Sequence, residues 1–483
     1  MVPAGCSGVN GFLLISPPVA LAGALVTALR MLEMTDLSKI FKAYDIRGVY
    51  PDGFDEDGAT RIGWAFARFM EAPTIVVGRD MRVSSPTLAA AFMEGVTVTG
   101  TDVVDLGLVS TDALYFGSGS LDVPGAMFTA SHNPARYNGL KLCRHKAAPI
   151  GEDSGLRDIL ELAVSSEAGT GPGGGKIEER DILGAYAAHC REFVDPSLLR
   201  PVKVAIDAGN GMAGKTVPMV FEPLPFEVVP LYFELDGTFP NHPANPIEPE
   251  NLADLQKVVL DQGCDIGIAF DGDADRMFLV DDRANLVTGS VTTALVAARL
   301  LQRYPGETIL YNCICSWTVP EVIAENGGKP LKTRVGHSFI KEIMAETGAI
   351  FGGEHSGHYY FRDNFRADSG MIAALIVLEA LSTSGKPLSE MLRPYNRYFA
   401  SGEVNSEVTD APAVIEELAA LHADGKQDRL DGLTVEYEDW WFNVRPSNTE
   451  PLLRLNLEAR TEDSMRQKVE ELLKIIRAGA PKA

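Results

Sequence analysis

The stretch Asp265-Ile-Gly-Ile-Ala-Phe270, Asp271-Gly272-Asp273-Ala274-Asp275-Arg276, Met277-Phe-Leu-Val-Asp-Asp282 sets a short loop between two apolar, strand-like runs. The loop carries a carboxylate at every second position. Like charges ~4 Å apart repel by about 4 kcal/mol even at an effective dielectric of roughly 20. Three of them together call for a cation, and oxygen-only ligation suits a hard ion, Mg²⁺ or Ca²⁺. The spacing of Asp271, Asp273 and Asp275, with Asp282 at the twelfth position, imitates an EF-hand loop. Two features exclude that motif: Arg276 stands at the sixth position, where the sharp turn needs Gly, and the flanks read as strands. The plain alternative is a solvated acidic turn. Three aligned carboxylates followed directly by an arginine favour an Mg²⁺ loop.

Outward from this loop, strand-like and helix-like segments alternate. Thr74-Ile-Val-Val reads as a buried strand ending at Gly78-Arg79-Asp80, and Ser84-Ser85-Pro86 as a helix start with a capping serine. Val103-Val-Asp-Leu and Gly125-Ala-Met-Phe128 are further strands, the second running into Thr129-Ala-Ser131-His132-Asn133-Pro134. Such alternation predicts mostly parallel α/β sheets. The Gly-rich segment 169–175 marks a boundary. The grammar restarts at Val202-Lys-Val-Ala-Ile206 and again near Val291, with Thr308-Ile-Leu-Tyr as a strand. The nearly all-apolar helix Gly370 to Leu381 should be buried. The last unit differs: Leu453, Leu455, Leu457 and Ala459 alternate with polar residues, which predicts a half-buried strand, and Thr461 caps a final amphipathic helix.

Length and composition set limits. A chain of 483 residues is too long for one core. A net charge of −23 without any Lys/Arg-rich run argues against nucleic acid and anionic membrane surfaces as partners. An anionic substrate would then need individual Arg and Lys residues beside the motifs. The six cysteines are scattered, which fits reduced thiols in a cytoplasmic protein. Residues 11–29 are uncharged, but no Lys or Arg precedes them and Pro17-Pro18 interrupts them, so neither a signal peptide nor a membrane span is expected. Met31 and Met34 are alternative starts, and residues 1–36 are expected to form a disordered extension.

Ser131 lies in no G-x-S-x-G elbow, so a hydrolase triad is not supported. A serine in a tight loop can carry a phosphoryl group, whose oxygens ligate Mg²⁺; taken alone, this loop is better explained as a Ser–Asn-rich turn without function. Arg445-Pro-Ser447-Asn448-Thr449-Glu-Pro451 offers a cation, hydroxyls and an amide, a set that can wrap a phosphate.

The four loops Thr129 to Pro134, Asp271 to Arg276, Glu354 to His358 and Arg445 to Pro451 stand in the order found in the α-D-phosphohexomutases, and the chain resembles that family from about Phe41 onward. The run Asn133-Pro-Ala-Arg-Tyr-Asn138-Gly-Leu-Lys141 is similar to the phosphomannomutase/phosphoglucomutase branch. The resemblance implies an α/β fold of four domains around a central cleft: three related mixed α/β domains and a smaller α+β C-terminal domain. The expected spans are 37–180 with the phosphoserine loop, 181–286 with the metal loop, 287–400 with the sugar-specificity loop and 401–483 with the phosphate-binding loop. It also implies interconversion of hexose 1-phosphate and hexose 6-phosphate, mannose first, through phosphoserine at Ser131, a hexose 1,6-bisphosphate that also serves as activator, and Mg²⁺ held by Ser131, Asp271, Asp273 and Asp275.

Carried over by position, the resemblance places Arg47 and Lys141 beside the phosphoserine, with His358 and His337 in acid–base or substrate contact. Glu354 and Ser356 match the residues that read the sugar 3- and 4-hydroxyls. Arg445, Ser447, Asn448 and Thr449 match the pocket for the non-reacting phosphate, and Arg276 reaches sugar or phosphate. A monomer or homodimer is expected. The segment Ile314 to Trp317 departs from the pattern, because relatives often carry a basic residue there. The alternatives are a phosphoglucomutase or a phosphoglucosamine mutase, an aspartyl-phosphate phosphatase with Asp271 as nucleophile, and a non-catalytic sugar-phosphate-binding protein.

Overall fold

The computed structural model describes Met1, residues 36–446 and residues 452–478; the expectation for the N-terminal extension lies outside them except at its two ends. Four sheets follow one another along the chain. The first has the order β1-β5-β4-β2-β3-β6, from β1 (Ile46–Val49), β2 (Thr74–Arg79), β3 (Asp102–Leu108), β4 (Gly125–Phe128), β5 (Tyr137–Cys143) and β6 (Ile177–Glu179). The second is β11-β10-β9-β7-β8, from β7 (Val202–Asp207), β8 (Phe226–Leu231), β9 (Ile266–Phe270), β10 (Met277–Asp281) and β11 (Leu286–Val287). The third is β13-β12-β14-β15, from β12 (Thr308–Asn312), β13 (Lys329–Thr333), β14 (Phe351–Gly353) and β15 (Tyr359–Phe361). The fourth is β16-β20-β19-β18-β17, all antiparallel, from β16 (Phe399–Glu407), β17 (Lys426–Asp428), β18 (Leu433–Glu436), β19 (Trp440–Pro446) and β20 (Leu452–Ala459).

The first three sheets are mixed, as the resemblance implies, and parallel neighbours outnumber antiparallel ones in them, as the alternation predicts. Parallel neighbours need a crossover of a dozen or more residues, whereas a tight loop forces an antiparallel return. The pairs β4–β5, β9–β10 and β14–β15 are all antiparallel hairpins. So is β19–β20 in the fourth sheet. The first three sequence motifs are therefore hairpin tips carried by the sheet behind them; the fourth begins at the end of β19, and its residues 447–451 lie outside the described residues.

One hydrophobic core runs without a break through the first three units, from Val76 and Leu114 through Ile206 and Ile268 to Phe351 and Leu378. The helix Gly370–Ser384 lies within it, buried on every side from Gly370 to Leu381. Its one charge, Glu379, is paired with Arg299 and Arg303 and accepts from the Asp195 N–H, as a buried carboxylate requires. The fourth unit has its own core around Leu418, Phe442, Leu455 and Leu472. Among the described residues no helix is long and apolar enough to cross a membrane.

Two local expectations change. Ser84 precedes the helix Ser85–Val98 without a capping bond; its hydroxyl accepts from Asn138 Nδ2, and Ser85 Oγ donates to Asp80. The polar face of β20 is not solvated: Asn456 is 4% and Glu458 2% exposed. That face packs toward the third unit, where Glu458 accepts from the Trp317 N–H at 2.9 Å.

Candidate active site

Ser131 sits where β4 ends, with φ +49°, in the left-handed region an L residue rarely occupies. Strain of this kind persists only when neighbours over-determine it. Here the support is Arg82, buried beneath the loop. Its guanidinium donates to the carbonyls of Ser131 (2.8 Å), Asn133 (2.7 Å), Pro134 (3.0 Å) and Tyr137 (3.0 Å). Asp80 pairs with it at 3.2 Å. The Ser131 N–H donates to Thr129 Oγ1, and its hydroxyl donates to Asp271 Oδ2 at 2.6 Å. The loop thus meets the acidic loop of the next unit across 140 residues of sequence. Gly272 permits the approach: a Cβ there would come within 2.5 Å of the Ser131 carbonyl oxygen.

Asp271, Asp273 and Asp275 are buried, at 0%, 0% and 1% exposure, and their oxygens lie within 4.8 Å of one another. Arg276 Nε donates to Asp271 Oδ2 at 2.9 Å. Thr111 Oγ1 and Lys141 Nζ donate to Asp273 Oδ2 at 2.6 and 2.8 Å, and Lys141 also reaches Asp275 Oδ2 at 2.5 Å. Burial alone would raise the Asp273 carboxyl, but Lys141, Thr111 and Arg276 hold it well below the carboxylate range. Burial and the neighbouring Asp273 charge push Asp275 up. Burial opposes the Lys141 ammonium, yet Asp273 and Asp275 raise it well above the ordinary lysine value. One oxygen each of Asp273 and Asp275 is buried without a hydrogen-bond partner. Unpartnered buried carboxylate oxygens are costly, and an all-oxygen set of this kind fits a hard divalent cation.

Arg47, on β1, donates to Asp45 at 2.8 Å and to Asn133 Oδ1 at 2.5 Å, which fixes it beside the Ser131 loop. Burial would lower its pKa, but Asp45, Asp273 and Asp275 raise it. His132 is pushed well below the usual histidine value by burial and by Arg276 and Arg47. The third loop is bound to the second through its backbone, by the bridge Arg276–His358 and the bond from the Met277 N–H to Gly357. His358 Nδ1 lies 2.8 Å from Asp368 Oδ2 and 3.8 Å from Asp275. Burial lowers its pKa, and the two carboxylates overcome that and raise it.

Glu354 is turned inward. It accepts from Tyr360 O–H (2.8 Å), Asn312 Nδ2 (3.2 Å) and the Gly336 N–H (3.1 Å). Ser356 is half-buried between Glu354 and His358. His337 opens the helix His337–Thr347, and its side chain lies outside the described residues. So do Ser447, Asn448 and Thr449. Arg445, on β19, is not a free cation: its Nη2 donates to Glu403 Oε2 at 2.9 Å, and the same carboxylate takes Arg454 Nη1 at 3.0 Å. Arg276 is likewise committed to Asp271 through Nε, while its buried Nη2 lacks a hydrogen-bond partner. In the segment Ile314 to Trp317, Trp317 binds Glu458 and Glu436 of the fourth unit.

The sequence reading passed over Arg82, Thr111, Asp368 and Lys341. Arg82 had one visible signal, a second arginine just past a strand end already dense in polar residues. Lys341 had another, standing four residues after His337 and so on the same helix face.

The chain matches, in order, family models described as "Phosphoglucomutase/phosphomannomutase, alpha/beta/alpha domain I" over residues 38–167, domain II over 185–285, domain III over 288–398 and the C-terminal domain over 403–475. A protein of Escherichia coli named phosphomannomutase is 40% identical over 457 residues, covering 92% of this chain and 100% of its own. A protein of Xanthomonas campestris named "Phosphohexose mutases" is 40% identical over 442 residues, covering 90% and 99%. The crystal structure of a phosphoglucomutase/phosphomannomutase family protein from Burkholderia thailandensis matches with a TM-score of 0.84 at 34% identity, covering 93% of this chain and 99% of that one.

Proposed function

We propose that this chain, which belongs to the phosphoglucomutase/phosphomannomutase family, interconverts mannose 6-phosphate and mannose 1-phosphate through a phosphoserine at Ser131. Membership makes it an isomerase that moves a phosphoryl group within its substrate. The observation that carries the mechanism is the Ser131 hydroxyl, buried and 2.6 Å from Asp271, above a carboxylate cluster with unpartnered oxygens. The names of the curated relatives support mannose ahead of glucose. The buried free thiols of the described cysteines suit a cytoplasmic enzyme.

Asp271, Asp273, Asp275 and the phosphate on Ser131 would hold Mg²⁺, which neutralises charge on the transferring group. The rest falls to side chains. The sugar hydroxyl attacks phosphorus, the bond to Ser131 Oγ breaks, and the product is a hexose 1,6-bisphosphate. That molecule turns round and returns its other phosphate to Ser131; added from solution, it primes the enzyme. Lys141 and Arg47 face the developing charge and stabilise it. His358, with His337, exchanges the hydroxyl proton or steadies the hydroxyl. Three of the roughly four lone-pair sites of Glu354 are taken by protein donors, which leaves one for a sugar hydroxyl beside Ser356. Arg276 touches sugar or phosphate through its unpartnered Nη2. Arg445, with Ser447, Asn448 and Thr449, anchors the non-reacting phosphate, which displaces Glu403 from Arg445.

Steady-state kinetics with mannose 1-phosphate and glucose 1-phosphate, each primed with the bisphosphate, tests the substrate. A higher kcat/KM for the mannose compound is expected, and the reverse order makes this a phosphoglucomutase. Arg445→Ala should raise KM roughly 10- to 100-fold with little change in kcat, the loss of one charged phosphate contact. Glu403 keeps Arg454 as its partner in that variant, so the fold should hold. An unchanged KM would remove Arg445 from phosphate binding.

A further inference from the structure

Behind His358 lies a chain of buried charges that the mechanism above does not use. Asp368 Oδ2 lies 2.8 Å from His358 Nδ1, and Asp368 Oδ1 lies 2.8 Å from Lys341 Nζ. Lys341 and Asp368 are each 2% exposed. The ammonium sits 3.9 Å from the centre of the Tyr115 ring and 5.9 Å from that of Tyr360, and the His358 ring stacks on Tyr360. The three residues come from separate segments of the third unit: the hairpin tip β14–β15, the residue before the Ser369 cap, and the helix His337–Thr347. A buried ion pair is weak evidence of stabilisation, because desolvation offsets its attraction. Stability alone therefore gives little reason for Lys341 and Asp368 to stand here. Asp275, His358 and Asp368 also place ligand atoms within 4.8 Å of one another. The ammonium on Asp368 makes the group an ion-pair chain rather than a metal pocket.

We propose that Asp368 and Lys341 are positioning residues: Asp368 takes Nδ1–H and so reserves Nε2 of His358 for the substrate hydroxyl, and Lys341 anchors the Asp368 carboxylate. Fixing one ring nitrogen by a carboxylate settles the tautomer and the orientation of the other. The hydroxyl proton then has one destination, Nε2; the O–H bond breaks, the N–H bond forms, and the electron pair stays on the oxygen that attacks phosphorus. Lys141, Asp275 and Arg276 also face this chain, and the buried Asp112 feels the Asp368 charge. The inference rests on the mutase reading for its kinetic consequence only.

The test uses full-length protein labelled with ¹⁵N-histidine, with the His358 signals assigned by their loss in His358→Asn. At alkaline pH, once the ring signals show the neutral imidazole, the proton should reside on Nδ1. Asp368→Asn should lower kcat about 100-fold with KM nearly unchanged. The neutral pair Lys341→Met/Asp368→Asn should be no worse than Asp368→Asn alone, because Lys341 acts only through Asp368; it carries the test if the single variant fails to fold. A neutral His358 with its proton on Nε2, or a neutral-pair variant with wild-type kcat, overturns the proposal. If the wild-type enzyme turns over no hexose phosphate, the mutase reading fails, and the tautomer in the same sample still decides this one.

Discussion

Ser131→Ala abolishes turnover while the fold stands: kcat falls by on the order of 10⁴-fold or more, the scale at which removing an enzyme's nucleophile is felt. The fold survives because the loop does not hang on this hydroxyl. Four carbonyl contacts from Arg82 hold its backbone, and Asp271 keeps its bond from Arg276. Alanine meets the same left-handed backbone as the serine it replaces. Calorimetry should show a melting temperature within a few degrees of wild type. The variant should also take up no phosphate from the bisphosphate, whereas wild type becomes stably phosphorylated. Near-wild-type turnover in the variant would rule out a phosphoserine at this position.

The second large effect is at the acidic loop. A chelator should reduce turnover below about 1% of its starting value, and added Mg²⁺ should restore it. Asp273→Asn should cost roughly 1,000-fold and weaken the response to Mg²⁺. The carboxylate lost is the one that Thr111 and Lys141 orient, so an amide there removes charge and leaves Lys141 with Asp275 alone. Mg²⁺ should raise the melting temperature of the wild-type protein, because an ion that binds only the folded form stabilises it, and raise it less in Asp273→Asn. Full activity in metal-free buffer would refute the metal role of this loop.

The loops that carry these effects were readable because each gathers chemistry into a few consecutive residues. Three alternating carboxylates or a Ser-His-Asn-Pro turn stand out without any knowledge of the fold. The α/β alternation was readable too, through apolar runs separated by turn residues. The antiparallel hairpins were not, since strand direction depends on whether the chain crosses over or turns back, and a strand looks the same either way. Arg82 stayed hidden for another reason: its partners are backbone carbonyls, which every residue has. Lys341 and Asp368 meet across 27 positions, and their pairing exists only once the third sheet has brought a helix beside a hairpin. Glu354 and Arg445 were found by position, but their protein partners, Tyr360 and Glu403, belong to the fold. The polar side of β20 read as solvated because alternation tells which residues share a face, not what covers it.

The separate core of the fourth unit has an energetic consequence. Its ties to the third unit include Trp317 with Glu458 and Glu436, the Val335 N–H with Asp431, and Lys332 with Asp428. The three hydrogen bonds end on carboxylates and contribute roughly 1.5–3 kcal/mol each, net of the water that replaces them; the exposed Lys332–Asp428 pair adds at most about 1 kcal/mol. Swinging this unit outward exchanges such polar contacts for hydration and leaves both hydrophobic cores intact. The reorientation of a bisphosphate in the proposed mechanism would thus draw on polar contacts alone, while the loops of the first three units keep their geometry on the core those units share.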